Sequence, residues 1–144
     1  MQETPDFDAG ALARSLLRRS RQGALATLMP GSGDPYCSLV NVASHPDGSP
    51  ILLISRLARH TQNILGDSRV SLMLDERAEG DPLEGARIML AGRAEQAADG
   101  EVAGLSRRYL AACIGHGLAE IRHVLQWDTG IDRCPKPPIS TPPR

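Results

Sequence analysis

The chain has 144 residues, 41% of them hydrophobic, with 16 basic and 17 acidic side chains and a formal net charge of -1. That suffices for one globular domain with a modest core, and the near balance of charge lacks the basic excess that phosphate-backbone binding needs, so nucleic acid is not an expected partner. No apolar stretch approaches the roughly 20 residues that cross a bilayer, and the opening "MQETPDFDAG" lacks the basic-then-apolar order of a secretory signal.

The cysteines, Cys37, Cys113 and Cys134, are odd in number and widely spaced, which predicts reduced thiols and, with the other features, a cytoplasmic protein without a membrane partner. Aromatic residues make up only 3%. The core must therefore come from Leu, Ile, Val, Ala and Met, and such a core would gain from dimerisation or a bound cofactor.

Asp8 is placed to cap a first helix in which Leu12, Leu16 and Leu17 share one face while Arg14, Arg18 and Arg21 stay in water. The helix should stop near Gly23. Five β-like runs follow: "GALATL" (23–28), "YCSLVNVA" (36–43), "PILLIS" (50–55), "RVSLML" (69–74) and "ARIMLAGRAE" (86–95). The turn-rich "MPGSGDP" and the Asp47-Gly48 step join the first three of these into an antiparallel meander. A short helix, about Arg59 to Leu65, fits between the third and fourth runs. After the fifth, "DGEVAGLSRRYLAACIG" reads as a helix carrying Val102, Leu105, Tyr109 and Leu110.

Beyond Gly115 the strand signal is weak, and five of the eleven prolines fall between Pro135 and Pro143. Proline lacks the amide donor, so the reading is a domain over 1–115 followed by an irregular, Pro-rich tail over 116–144. Cys113, His116, His123 and Cys134 match no common zinc spacing, and no metal site is expected. Cys37 reads as a small buried thiol without a positioned base. His45 reads as a turn residue, Tyr109 as core, and the acidic run Asp75–Glu84 as a solvated loop without catalytic duty.

One stretch stands apart. "ISRLARHTQNI" (54–64) gathers Ser55, Arg56, Arg59, His60 and Thr61 directly after an apolar run and at the start of a predicted helix. A helix start offers unpaired amides and the positive end of the dipole, which favour an anion such as phosphate. Arg59 adds charge-assisted hydrogen bonds, Ser55 and Thr61 add hydroxyls, and His60 donates from one ring nitrogen even when neutral. On residue types alone, a solvated rim beside a strand is the commoner explanation of such a cluster.

The runs "GALATL", "PYCSLVNVA", "DGSPILLISRLARHTQNILGDSRVSLML" and "GARIMLAGRAE", over roughly residues 11–112, resemble the split-barrel FMN-binding family related to pyridoxamine 5'-phosphate oxidase, in particular its haem-utilisation-like branch. The resemblance implies a mainly β fold with flanking helices: an antiparallel FMN-binding split β-barrel of about six strands. It implies FMN at the interface of a homodimer, with its phosphate at Ser55, Arg59, His60 and Thr61. Its ring edge would meet the backbone of Ser38, Leu39, Val40 and Asn41. Arg87 stands where oxidases of the family place a glutamine that touches the flavin. Two departures are visible: Ala58-Arg59-His60 replaces a Ser-Arg-Lys run, which makes one positive charge titratable, and no final aromatic-rich strand is evident after Leu110.

Three functions follow from this reading. The first is an FMN-dependent oxidoreductase, or at least a flavin-binding protein, acting on a small-molecule substrate the sequence does not name, with the hydride or electron chemistry carried by the flavin. The second is a haem-handling protein on the same barrel, with His116 or His123 as candidate axial ligands. The third is a non-catalytic dimeric scaffold.

Overall fold

The structure, a computed structural model, describes residues 6–76 and 79–112 and the backbone of 124–128. Helix α1 (Ala9–Arg19) starts where expected: the Asp8 carboxylate accepts from the Ala11 amide at 2.9 Å, and Leu16 and Leu17 are buried. It ends at Ser20, a little before Gly23, because the chain must extend by Gln22 to enter the sheet.

The remaining elements are β1 (Gln22–Leu28), β2 (Pro35–Asn41), β3 (Ala43–Ser44), β4 (Pro50–Leu53), α2 (Arg59–Gly66), β5 (Arg69–Asp75), β6 (Arg87–Gln96), α3 (Asp99–Ala112) and β7 (Val124–Asp128). No described helix is long and apolar enough to cross a membrane. The strands form one sheet in the order β2-β1-β5-β6-β7-β4-β3, and every pairing is antiparallel. The two edge strands, β2 and β3, are separated only by Val42. A single bent strand therefore serves both ends of the sheet, which rolls it into an open barrel of six strands, as expected.

The turns follow the residues that were expected to make them. Gly48 adopts φ 91° in the hairpin from β3 to β4, where His45 donates to the Ser49 carbonyl and Gly48 to that of His45. His45 lies in this turn but is half-buried, its Nδ1 2.9 Å from the Asp47 carboxylate.

Burial alternates along β1, β5 and β6. Leu25, Val40, Leu72 and Leu74 point into the barrel and join Leu17, Val42, Leu52, Ile54, Ile64 and Val70 in one core. A second core lies outside β3 and β4, where Ala43 and Ile51 meet Leu105 and Tyr109 of α3. Tyr109 is thus core, as expected, whereas Leu110 is exposed.

Gly23 lies in the barrel wall with no room for a side chain. A Cβ there would stand 2.7 Å from Leu74 Cδ2 and 2.9 Å from both Leu72 Cδ1 and the Met73 carbonyl oxygen. Gly23→Ala is expected to destabilise the fold by about 1–3 kcal/mol through overpacking, read as a lower urea midpoint at unchanged slope.

Two expectations are corrected. The segment beyond Gly115 does contain a strand: β7 pairs with β6 through Arg93↔Asp128 to Gln96↔Leu125 and with β4 through Ile51↔Gln126 to Leu53↔Val124. Its five residues show no clean alternation, and its extended state is set by ladders on both sides. The rest of the stretch read as a tail, with Cys113, His116, His123 and Cys134, lies outside the described residues. Cys37 is exposed rather than buried, because the alternation of β2 turns Cys37 and Leu39 outward and Ser38 and Val40 inward.

Candidate functional site

Helix α2 opens without a side-chain cap. Ala58 occupies the capping position, has no side-chain oxygen to offer, and makes no side-chain cap hydrogen bond. Ser55 Oγ accepts from the Leu57 amide at 3.2 Å, and the Thr61 and Gln62 amides both return to the Ala58 carbonyl. Among the described residues the amides of Arg59 and His60 have no acceptor, so the positive end of the helix is open.

The side chains at this end are disposed in three ways. Arg59 is exposed and has no carboxylate or carbonyl partner among the described residues. His60 is half-buried, its Nδ1 3.1 Å from Ser38 Oγ on β2, and burial holds its imidazole below the ordinary pKa. Thr61 is 3% exposed, and its Oγ1 has no hydrogen-bond partner among the described residues. The Asn63 side-chain amide, which sequence reasoning passed over, donates to Thr27 Oγ1 at 2.9 Å and ties the helix to the barrel wall, leaving its own Oδ1 unpartnered. A polar residue in the apolar run of β1 and another one turn into α2 were its only signal.

Strand β2 is a sheet edge. Val42 donates to the Arg21 carbonyl at 2.9 Å, and the register from Gln22↔Asn41 to Leu28↔Pro35 is unbroken. Bonding in an antiparallel pair alternates, so Ser38 and Val40 turn their main-chain groups to β1, while Leu39 and Asn41 turn theirs to the open side.

The structure brings Ser38 and His60 together and keeps Arg87 apart. Arg87 is opposite Asp75 on β5, and β5 and β1 lie between β6 and the edge strand β2, so Arg87 stands three strand spacings, about 14 Å, from β2. A ligand touching both would lie over the outer face of β1 and β5, where Ala24 and Ala26 leave the surface low.

That outer face is apolar. Leu39, Met73 and Met89, exposed by 66%, 45% and 71%, share one row with Ala24. Cys37, Ala26, Ser71 and Ala91 form the next. Among the described residues no group of three or more His, Cys, Asp or Glu could hold a metal.

The family model of pyridoxamine 5'-phosphate oxidase matches residues 10–128, from the first helix through β7. The chain belongs to that family. The match runs past the 11–112 expected from the sequence and takes in β7. Among curated relatives, the chain is 36% identical over 99 residues to "Non-canonical heme oxygenase HOZ, chloroplastic" of Arabidopsis thaliana, a match covering 68% of this chain and 30% of that protein. Among solved structures, a protein of unknown function from Agrobacterium tumefaciens is 35% identical with a TM-score of 0.75, over 88% of this chain and 56% of the other. A heme binding protein from Mycobacterium smegmatis is 32% identical with a TM-score of 0.71, over 86% and 52%. This family member thus spans about a third of the curated relative it matches and little more than half of those solved chains.

Proposed function

We propose that this protein binds FMN as a homodimer and serves as a flavin-dependent oxidoreductase of the cytoplasm. The observation that carries the reading is the uncapped start of α2, set beside an arginine and a buried threonine hydroxyl that both lack a partner among the described residues. This donor set fits a phosphate monoester: the Arg59 and His60 amides, the Arg59 guanidinium and the hydroxyls of Ser55 and Thr61 would hold it, with His60 adding a donor. Leu39 and Asn41 supply main-chain groups on the open edge of β2 for the polar rim of the ring, Ser38 and Val40 hold that strand against β1, and Arg87 favours an electron-rich ring by charge. Bound flavin supplies the hydride or electron transfer. The protein's part is to orient the ring and to limit water at it through the second subunit.

The outer face of β2, β1, β5 and β6 supports the dimer, since a contiguous apolar sheet surface of this kind needs covering and the sheet ends beside the cradle. The haem reading has its own support in the names of two relatives, and its candidate ligands His116 and His123 lie outside the described residues. One experiment separates the two. The purified chain, loaded with FMN and separately with hemin, is passed through size exclusion, and the absorbance and mass of any co-eluting small molecule are recorded. Stoichiometric FMN on a dimer is the expected result. A haem band with no retained flavin transfers the assignment to haem, and retention of neither leaves the scaffold reading in place of both.

A further inference from the structure

Away from the α2 cradle, a cleft of about 530 Å³ opens where the end of α1 faces α3 across β3. Its wall carries Arg18, Arg21, Arg107 and Arg108 around Ser44, with no acidic residue in the lining among the described residues. The chain as a whole is nearly neutral, so four guanidinium groups in one cleft are a strong local departure.

Two of the four are held by neutral main-chain groups: Arg108 Nε donates to the Ser44 carbonyl at 2.8 Å, and Arg21 Nη1 to the Arg18 carbonyl at 3.1 Å. Each spends one of five donors in doing so. Arg18 and Arg107 have no hydrogen-bond or ion-pair partner among the described residues. Their neighbour Arg19 shows the contrast, since it reaches Glu76 at 3.2 Å. The negative end of α1 accounts for a cation at Arg18. It does not account for two more from the body of α3 facing the same space.

We infer that this cleft is a binding site for a small oligophosphate. Like charges held together by the fold repel until a polyanion lies between them, and planar guanidinium forks match phosphate oxygens in pairs. The arginines come from two helices, so the ligand needs at least two anionic groups to bridge them. The volume is in the range of small-molecule sites, and the lining apart from the arginines is small, Ser44 with alanines of α3. That suits a phosphate chain better than an aromatic ring. A free oligophosphate and the phosphate chain of a nucleotide share this chemistry.

The test uses the full chain with FMN added, titrated calorimetrically with tripolyphosphate, with ATP and with a single-stranded oligonucleotide. Tripolyphosphate is expected to bind with a steep loss in added salt. The R18A/R107A double variant should bind it about 25-fold more weakly, at about fivefold for each exposed charge-assisted contact, while R14A, outside the cleft, and FMN retention stay unchanged. Both arginines are exposed, so the variant keeps its core. ATP binding as tightly as tripolyphosphate assigns the site to the phosphate chain of nucleotides, and weaker ATP binding assigns it to free oligophosphate. No tripolyphosphate binding, equal affinity in the double variant, or tighter binding of the oligonucleotide overturns the inference.

Discussion

Replacing Met73 and Met89 together by Asp is expected to yield a folded monomer. Their side chains are directly opposite on β5 and β6, both turn away from the barrel core, and they are 45% and 71% exposed, so the substitution leaves barrel packing intact. In the dimer they would lie at the middle of the row Leu39, Ala24, Met73, Met89. Covering a Met side chain contributes about 1.5–3 kcal/mol, and a carboxylate in its place adds a desolvation cost of several kcal/mol. Two such changes in each subunit should weaken association by more than about 1000-fold. Size exclusion with light scattering would read the change in mass, and circular dichroism would confirm the retained sheet. A variant that stays dimeric would move the interface off this face. FMN should be lost with the dimer if the second subunit closes over the ring.

The same apolar outer face explains which parts of the fold were legible in the sequence. Asp8, the Asp47-Gly48 turn and the limits of α2 rest on local chemistry, and they stand within a residue or so of their expected places. The side of a strand on which a residue points is decided by contrast between its two faces. Here the contrast is weak: "RVSLML" places Val70, Leu72 and Leu74 inside and Met73 outside, all of them apolar. Cys37 was misplaced for that reason. The strand β7 depends on partners distant in the chain, and the bend at Val42 on an exchange of partner from β1 to β4, which no short window of sequence contains. At the site, the helix start and its basic residues were legible from spacing. The Ser38–His60 contact and the Asn63–Thr27 tie were not, because each joins residues more than 20 positions apart.

Arg59→Ala is expected to weaken FMN binding by about 10- to 150-fold, the worth of one charge-assisted hydrogen-bond set of about 1.5–3 kcal/mol, with little effect on folding, since the side chain is exposed. Fluorescence quenching of free FMN would measure it, and riboflavin, which lacks the phosphate, should bind the two forms equally. Unchanged FMN affinity would put the phosphate elsewhere. His60 gives the site a pH signature with a definite sign. Burial lowers its pKa in the free protein, so the ring is neutral at pH 7, and a phosphate dianion alongside would raise it. A group whose pKa rises on binding contributes affinity that is fully present below the free-state pKa and is lost as pH rises through the bound-state pKa. FMN should therefore bind more tightly as pH falls from 8 toward 6, until the phosphate itself takes up a proton. His60→Gln keeps a donor but cannot titrate, so its affinity should be flat over that window. His60→Lys restores a permanent charge and should hold the tighter value at pH 8. A slope that survives in His60→Gln would assign the proton to another group.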